Sequence, residues 1–271
     1  MTVQRSLIAL FILFCMILAQ PVQAAVGLED YGIGNVADTN MSYRHDGAYS
    51  AFKYVQVQVQ GNGKAICSVG RLNQPDQIEE FNLDPDFVKG LIKLYADLNF
   101  FDYDFSKITD SSDEHHTVED AGTTTFSYQH KDKARVISYE SVKIKVRDHA
   151  AIPINEDAKK LVELQTMYWK VLNRKIYMDN LKDYKTMDKG VLANELSSLG
   201  ADARENRIFN SKEFIPLIME IISQEEYRGS IGQYAASALE EITQEKITGD
   251  WWDCQKWLKW WESKKSYYEK D

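Results

Sequence analysis

A chain of 271 residues with 44% hydrophobic side chains has enough apolar material for two modest domains. Its formal charge of −9 and pI near 5.2 exclude the basic footprint that nucleic acid or an anionic lipid surface attracts.

Taken in chain order, the first signal is one of export. Arg5 precedes an apolar run over residues 7–19, and Val22-Gln23-Ala24 supplies a small-residue ending, which together make a secretory signal pattern. Cleavage is expected after Ala24, giving a secreted or periplasmic protein; an uncleaved anchor is the alternative. Cys15 is not a lipid acceptor, because Phe14 fills the position where a small residue is needed. The run is too short for a comfortable span, so no stable membrane insertion is expected after cleavage. Loss of Arg5 takes the charge from −9 to −10. Two cysteines then remain, Cys67 and Cys254, in a compartment that permits disulfides. Either they bridge the front of the chain to its end, or each is a buried thiol acting as a small hydrophobe.

Residues 25–50 are rich in Gly, Asp and Asn and show no sustained period, so they read as a flexible leader. Residues 51–184 read as an α+β domain. Over 52–60, Val55, Val57 and Val59 alternate with Tyr54, Gln56 and Gln58, a strand with glutamines toward solvent and valines toward a core. Gly61-Asn62-Gly63 turns it into a second strand over 64–70. Asp84 caps a helix that Pro85 opens, with Phe87, Val88, Leu91, Leu94, Tyr95 and Leu98 on its buried face. A second hairpin follows: 123–129, a tip at 130–133, and 134–139, with strand character continuing through Val142, Ile144 and Val146. A long helix over about 157–182 places Leu161, Leu164, Tyr168, Leu172 and Ile176 on one face. This order makes a small antiparallel sheet backed by two helices. The element order, with Phe100-Phe101 and the later hairpin, resembles a small exported bacterial domain of unknown function.

The polar stretch between the hairpins carries the best metal candidates. Asp113, His115, His116 and Glu119 offer carboxylates and imidazoles within a few residues, flanked by Asp110, Glu114 and Asp120. The spacing matches neither a calcium loop nor a His-Glu-x-x-His helix, and a solvated acidic loop is the competing reading. No Gly-x-Ser-x-Gly elbow or phosphate-cradling Gly-rich loop is present. No catalytic residue and no cofactor are expected.

Residues 185–271 read as helical. Helices over 230–243 and from Asp253 onward both carry an apolar stripe. In the last helix that stripe is Cys254, Trp257, Leu258 and Trp261, with Trp260 at its edge. Five of the six Trp fall within 251–261, which suits a cap on a helical stack. Trp251 and Trp252, just before the helix, are the candidates for a glycan or partner contact. The segment 212–223, with Pro216 as a mid-helix proline of its first helix, followed by Arg228 and Tyr234-Ala-Ala-Ser-Ala-Leu, resembles a HEAT-type repeat. Residues 191–200 match the second helix of a preceding partial repeat. The ending Ile247-Thr248-Gly249, then Trp257, Trp260 and Trp261, is similar to the close of HEAT-repeat proteins exported by bacteria. The resemblance covers about the last third and about one and a half repeats, fewer than a free-standing solenoid needs. Iron-binding HEAT enzymes use His-Glu pairs, but all five His here precede the repeat region.

The reading is therefore α+β: a small antiparallel sheet with two helices, followed by an all-α HEAT-like helical unit. The expected role is a non-enzymatic interaction or structural module of the bacterial cell envelope, whose partner is another envelope protein. The alternatives are a metal-dependent exported enzyme using the 110–120 loop, or a glycan-binding protein using the Trp-rich end.

Overall fold

A computed structural model describes residues 28–32, 34–49, 52–104, 122–140, 156–247 and 254–268. The fold is α+β. Six antiparallel strands, β1 (Thr39–Tyr49), β2 (Phe52–Gln60), β3 (Lys64–Arg71), β4 (Gln77–Asn82), β5 (Thr123–His130) and β6 (Lys133–Glu140), form one sheet. Its order is β4-β3-β2-β1-β5-β6. The signal segment 1–24, the strand continuation over 142–146 and Asp253 lie outside the described residues.

Residues 25–50 are not a leader over their described part. Thr39–Tyr49 forms β1 near the middle of the sheet, where Tyr43 pairs with Val57 of β2 and Phe126 of β5. Met41, Tyr43 and His45 point into the core, while Asn40, Ser42 and Arg44 point out. The alternation is present, but polar outward residues and the irregularity at Gly47 (φ +84°) mask it. Upstream, a 3₁₀ turn over Leu28–Tyr31 buries the Tyr31 ring against Phe101 and Tyr128.

The two hairpins turn where the sequence places them. Gly63 adopts φ +93° and Lys131 φ +53°. Gly61 is required for a different reason. Its N–H donates to the Thr39 carbonyl at 2.8 Å, and a Cβ there would sit 1.6 Å from the Val36 carbonyl oxygen.

Two helices back the inner face. In α1 (Pro85–Asp97) the Asp84 carboxylate accepts from the Asp86 N–H at 2.7 Å, and Val88, Leu91, Ile92 and Tyr95 are buried. Phe87 and Leu94 are only partly buried. Helix α2 (Glu156–Lys182) runs 27 residues, about 40 Å. Leu161, Leu164, Tyr168, Val171 and Leu172 join the sheet core, whereas Tyr177 and Leu181 join a second core.

That second core is helical. It is built by α3 (Lys189–Arg204), α4 (Ile215–Ser223), α5 (Ser230–Thr243) and α6 (Cys254–Tyr268). Pro216 is not mid-helix. It lies in the first turn of α4, directly after a 3₁₀ turn over Ser211–Phe214, where a missing N–H leaves no helical bond broken. Gly200 lets α3 approach α5 closely, since a Cβ there would lie 3.0 Å from Ala238 Cα. Cys254 and Trp257 are buried, and Trp260 and Trp261 pack half-buried beside them. Cys67 and Cys254 are free and belong to different cores, which resolves the choice left by the sequence in favour of two buried thiols. Burial pushes the Cys67 thiol up to about 12.

A polar junction sits where α2 passes from one core to the other. Arg174 contacts Glu79 of β4 at 3.1 Å and Glu213 at 2.6 Å, and its guanidinium lies 4.3 Å from the Phe81 ring centre. Lys175 pairs with Asp179 and faces Glu79 at 3.9 Å. Nearby, Arg71 donates to Asn180 at 3.0 Å and Phe87 meets Phe209 edge-on. Arg174 and Lys175 are both buried.

Two stability outcomes follow from this packing. Gly61→Ala is expected to lower stability by about 2 kcal/mol through overpacking against Val36. The reading is an earlier urea midpoint; an unchanged midpoint would mean the 34–38 loop yields freely. Arg174→Ala is expected to lower it by about 3 kcal/mol, because Glu79 and Glu213 both lose the guanidinium that bridges them. Arg174→Met combined with Glu79→Gln and Glu213→Gln should recover most of that loss in the same assay. Equal losses in both variants would show that charge pairing does not hold the junction.

Candidate functional site

Strand alternation assigns the apolar set to the helices and leaves the opposite face of the sheet to solvent. Asn40, Gln58, Gln60 and Gln129 are exposed there, and Ser42, Ser127, Lys64 and Ile66 are partly exposed. Register places these side chains in rows across the strands. One row reads Ile66, Gln58, Ser42, Ser127, Val136; the next reads Gln60, Asn40, Gln129, Ala134. Between them lies a shallow cavity of about 290 Å³.

The chemistry of this face divides in two. Its charged groups already have partners. Arg44 binds Asp46 with two bonds, at 2.8 and 2.6 Å, and lies 4.3 Å above the Tyr54 ring. Lys64 pairs with Glu80 at 2.8 Å. Arg135, whose register partner is the buried Tyr128, belongs to the inner face, where its guanidinium donates to the Phe100 and Tyr103 carbonyls, both at 2.7 Å. Tyr54 donates to Asp76 at 2.6 Å, and that bond to a carboxylate raises its phenol above the usual value. By contrast, the carboxamides of Asn40, Gln58, Gln60 and Gln129 have no side-chain partner among the described residues. The two seryl hydroxyls between them, Ser42 and Ser127, lie 2.6 Å apart.

Beneath the cavity the inner face is stiffened by tyrosines. The Tyr95 hydroxyl donates toward the Ser127 and Ser42 carbonyls, at 3.2 and 3.4 Å, and meets the Tyr168 hydroxyl at 2.9 Å. Burial raises the Tyr95 phenol well above its ordinary value. Trp169 donates to the Tyr43 hydroxyl at 3.1 Å, and Tyr43 stacks on Tyr168. The β1–β5 seam that carries Ser42 and Ser127 is therefore backed by a hydrogen-bonded aromatic layer.

The metal candidates Asp113, His115, His116 and Glu119 lie outside the described residues, as do Trp251 and Trp252. Among the described residues, no three His, Cys, Asp or Glu side chains group as a metal site. The histidines on the sheet serve the core. His130 lies 3.0 Å from the Thr39 hydroxyl and His45 2.9 Å from that of Thr124, both buried. Trp260 donates to Glu245, and its ring stacks on Trp261 and lies tilted against Tyr268, so this end of the aromatic cluster is packing. Sequence reasoning saw Gln56 and Gln58 facing solvent but missed the site, because β1 and β5 complete it. The period-two pattern over 39–46 was the signal that could have found it.

Burial lowers the His45 imidazole below its usual 6.5. As pH falls below 6.5 the unfolded chain therefore takes up a proton at this position more readily than the folded chain does. The associated stability is complete above pH 6.5 and drains as pH falls toward the depressed folded value. His45→Asn, which keeps a polar partner for Thr124, is expected to flatten this part of the acid limb. Parallel limbs for the two proteins in pH-dependent urea titrations would exclude His45 as its source. The chain matches no protein-family model, and no curated protein is significantly similar to it.

Proposed function

We propose that this chain is an exported, non-enzymatic interaction module of the bacterial cell envelope, and that its contact surface is the open face of the sheet. The observation that carries the reading is the contrast on that face. Four exposed carboxamides around a cavity have no side-chain partner among the described residues, while the charges around them are paired. Such a face offers hydrogen bonds to a ligand without a group placed for acid–base or nucleophilic work.

The helical half acts as a HEAT-like structural unit that steadies the sheet. Its support is the close stacking of α3 on α5 at Gly200 and Ala238, with α6 closing the end of the stack. A helix pair of this kind buries its faces only against neighbours, and here α2 supplies one of them.

The test uses the chain from residue 25 onward and isolated envelope fraction in a sedimentation assay. Gln58→Arg with Gln129→Arg should weaken retention at least about tenfold, since it puts two unpaired charges into a neutral interface. Val191→Arg, a change at an exposed position on α3, should leave retention unchanged. Retention of the double variant at the wild-type level would remove the sheet face from consideration.

A further inference from the structure

We infer that the ligand of the open face is a neutral polysaccharide strand lying across β2, β1 and β5. This inference rests on the sheet-face reading above and names its ligand class.

Charge comes first. Of the two cationic residues lining the cavity, Lys64 is held by Glu80, and Arg135, in register with the buried Tyr128, sends its guanidinium to two backbone carbonyls on the inner side. Arg44, farther along β1, is clamped by Asp46. A phosphate, carboxylate or sulfate ligand would have to displace an existing bond at Lys64 or Arg44, and the Arg135 guanidinium lies on the other side of the sheet. The formal charge of −9 adds long-range repulsion of polyanions. A cationic ligand fares no better, because Glu80, Asp46 and Asp76 already accept from Lys64, Arg44 and Tyr54. A neutral ligand meets none of these obstacles.

Hydrogen-bonding capacity narrows the class. Each carboxamide supplies two donors and an acceptor, so Asn40, Gln58, Gln60 and Gln129 can engage a ligand that alternates both roles. Vicinal hydroxyls do this at every sugar unit. A protein partner would instead be recognised through an apolar, aromatic centre with a polar rim. Here the order is reversed: amides and hydroxyls occupy the centre, and single apolar residues, Ile66 and Val136, flank them, with the Lys64-paired Glu80 beyond Ile66 on β4. Those two suit the C–H faces of a saccharide.

Shape gives direction. The polar rows Gln58–Ser42–Ser127 and Gln60–Asn40–Gln129 cross three strands, spanning about 10 Å at the usual inter-strand spacing. The groove is shallow, so affinity must accumulate from repeated weak bonds along an extended ligand. A linear glycan presents them in series.

The experiment is a microarray of neutral and acidic oligosaccharides, followed by side-chain amide NMR of the chain from residue 25 with the best neutral binder. Binding is expected to a neutral glycan, with shifts at the amides of Gln58, Gln60, Gln129 and Asn40. It should change little between about 50 mM and about 500 mM salt, since no ion pair forms. Gln129→Ala should weaken it by roughly fivefold to tenfold, the value of one or two net hydrogen bonds. Exclusive binding of acidic glycans, or of none, would overturn the inference. If envelope retention is abolished by protease yet still lost in the Gln58→Arg, Gln129→Arg variant, the face is a protein site and only the glycan assignment fails. If that variant is retained as well as wild type, the sheet-face reading fails first.

Discussion

Helix α2 belongs to two cores at once, and the rest of the structure depends on that sharing. Its first half presents Leu161, Leu164, Tyr168, Val171 and Leu172 to the sheet; its last turns present Tyr177 and Leu181 to the helical stack. Between them the helix carries charge in place of apolar side chains. Arg174 reaches one way to Glu79 on β4 and the other way to Glu213 before α4. Burying such groups stabilises little on balance, because desolvation offsets the attraction. What it provides is geometry: the guanidinium satisfies both carboxylates only when edge strand, helix and 3₁₀ turn stand in one arrangement. An apolar contact at this point would tolerate sliding, and the ionic one does not. Phe209 strengthens the same link, since its N–H donates to the Lys170 carbonyl and its ring meets Phe87 of α1.

Because both backing helices lie on one side, the other side of the sheet must be compatible with water on its own. That explains much of its composition. Arg44–Asp46, two apart on β1, and Lys64–Glu80, across β3 and β4, are same-face pairs of the kind that keep a sheet soluble. Thr125 and Ser138 bond across β5 and β6 in the same spirit. The edge strands carry charge as well, Glu79 and Glu80 on β4 and Lys133 and Arg135 on β6, which discourages pairing with another chain.

Legibility in the sequence followed the range of the interaction. The Gly61–Gly63 turn, the Asp84 cap with Pro85, and the helices over 230–243 and 254–268 are local, so their residues announce them. β1 is the opposite case. Its inward residues are Met41, Tyr43 and His45, none of them a β-branched aliphatic, and its partner on one side, β5, begins 84 positions after it, at Thr123 against Thr39. Without that partner the segment looks like loop. Pro216 misled for a related reason: a proline in an apolar run marks either a kink or a first turn, and only the preceding 3₁₀ segment decides between them. The ionic junction was invisible altogether, because Glu79, Arg174 and Glu213 are ordinary surface residues until the fold brings them together. The site shared this fate. Gln58 could be assigned to solvent from β2 alone, but its row exists only through register with Ser42 and Ser127, and that of Gln60 through Asn40 and Gln129.

Solubility does not account for the amides, however. Lysine and glutamate keep a strand face wet at least as well as glutamine, and they also form cross-strand pairs. Unpaired carboxamides give the isolated sheet no such pairing, and ordering their flexible side chains is entropically unfavourable. They become useful only when something supplies complementary donors and acceptors. The backing also differs under this patch, where Tyr95 and Tyr168 tie the carbonyls of the β1–β5 seam to both helices. A surface that merely faced water would gain nothing from a rigid floor. A surface that binds through many weak, spaced hydrogen bonds gains a great deal, because each bond is worth only about 1 kcal/mol net and is lost if its spacing drifts. Stiff floor, neutral amides and neutralised charges are three independent features of one face and its backing, and recognition of an uncharged extended ligand is the one requirement that calls for all three.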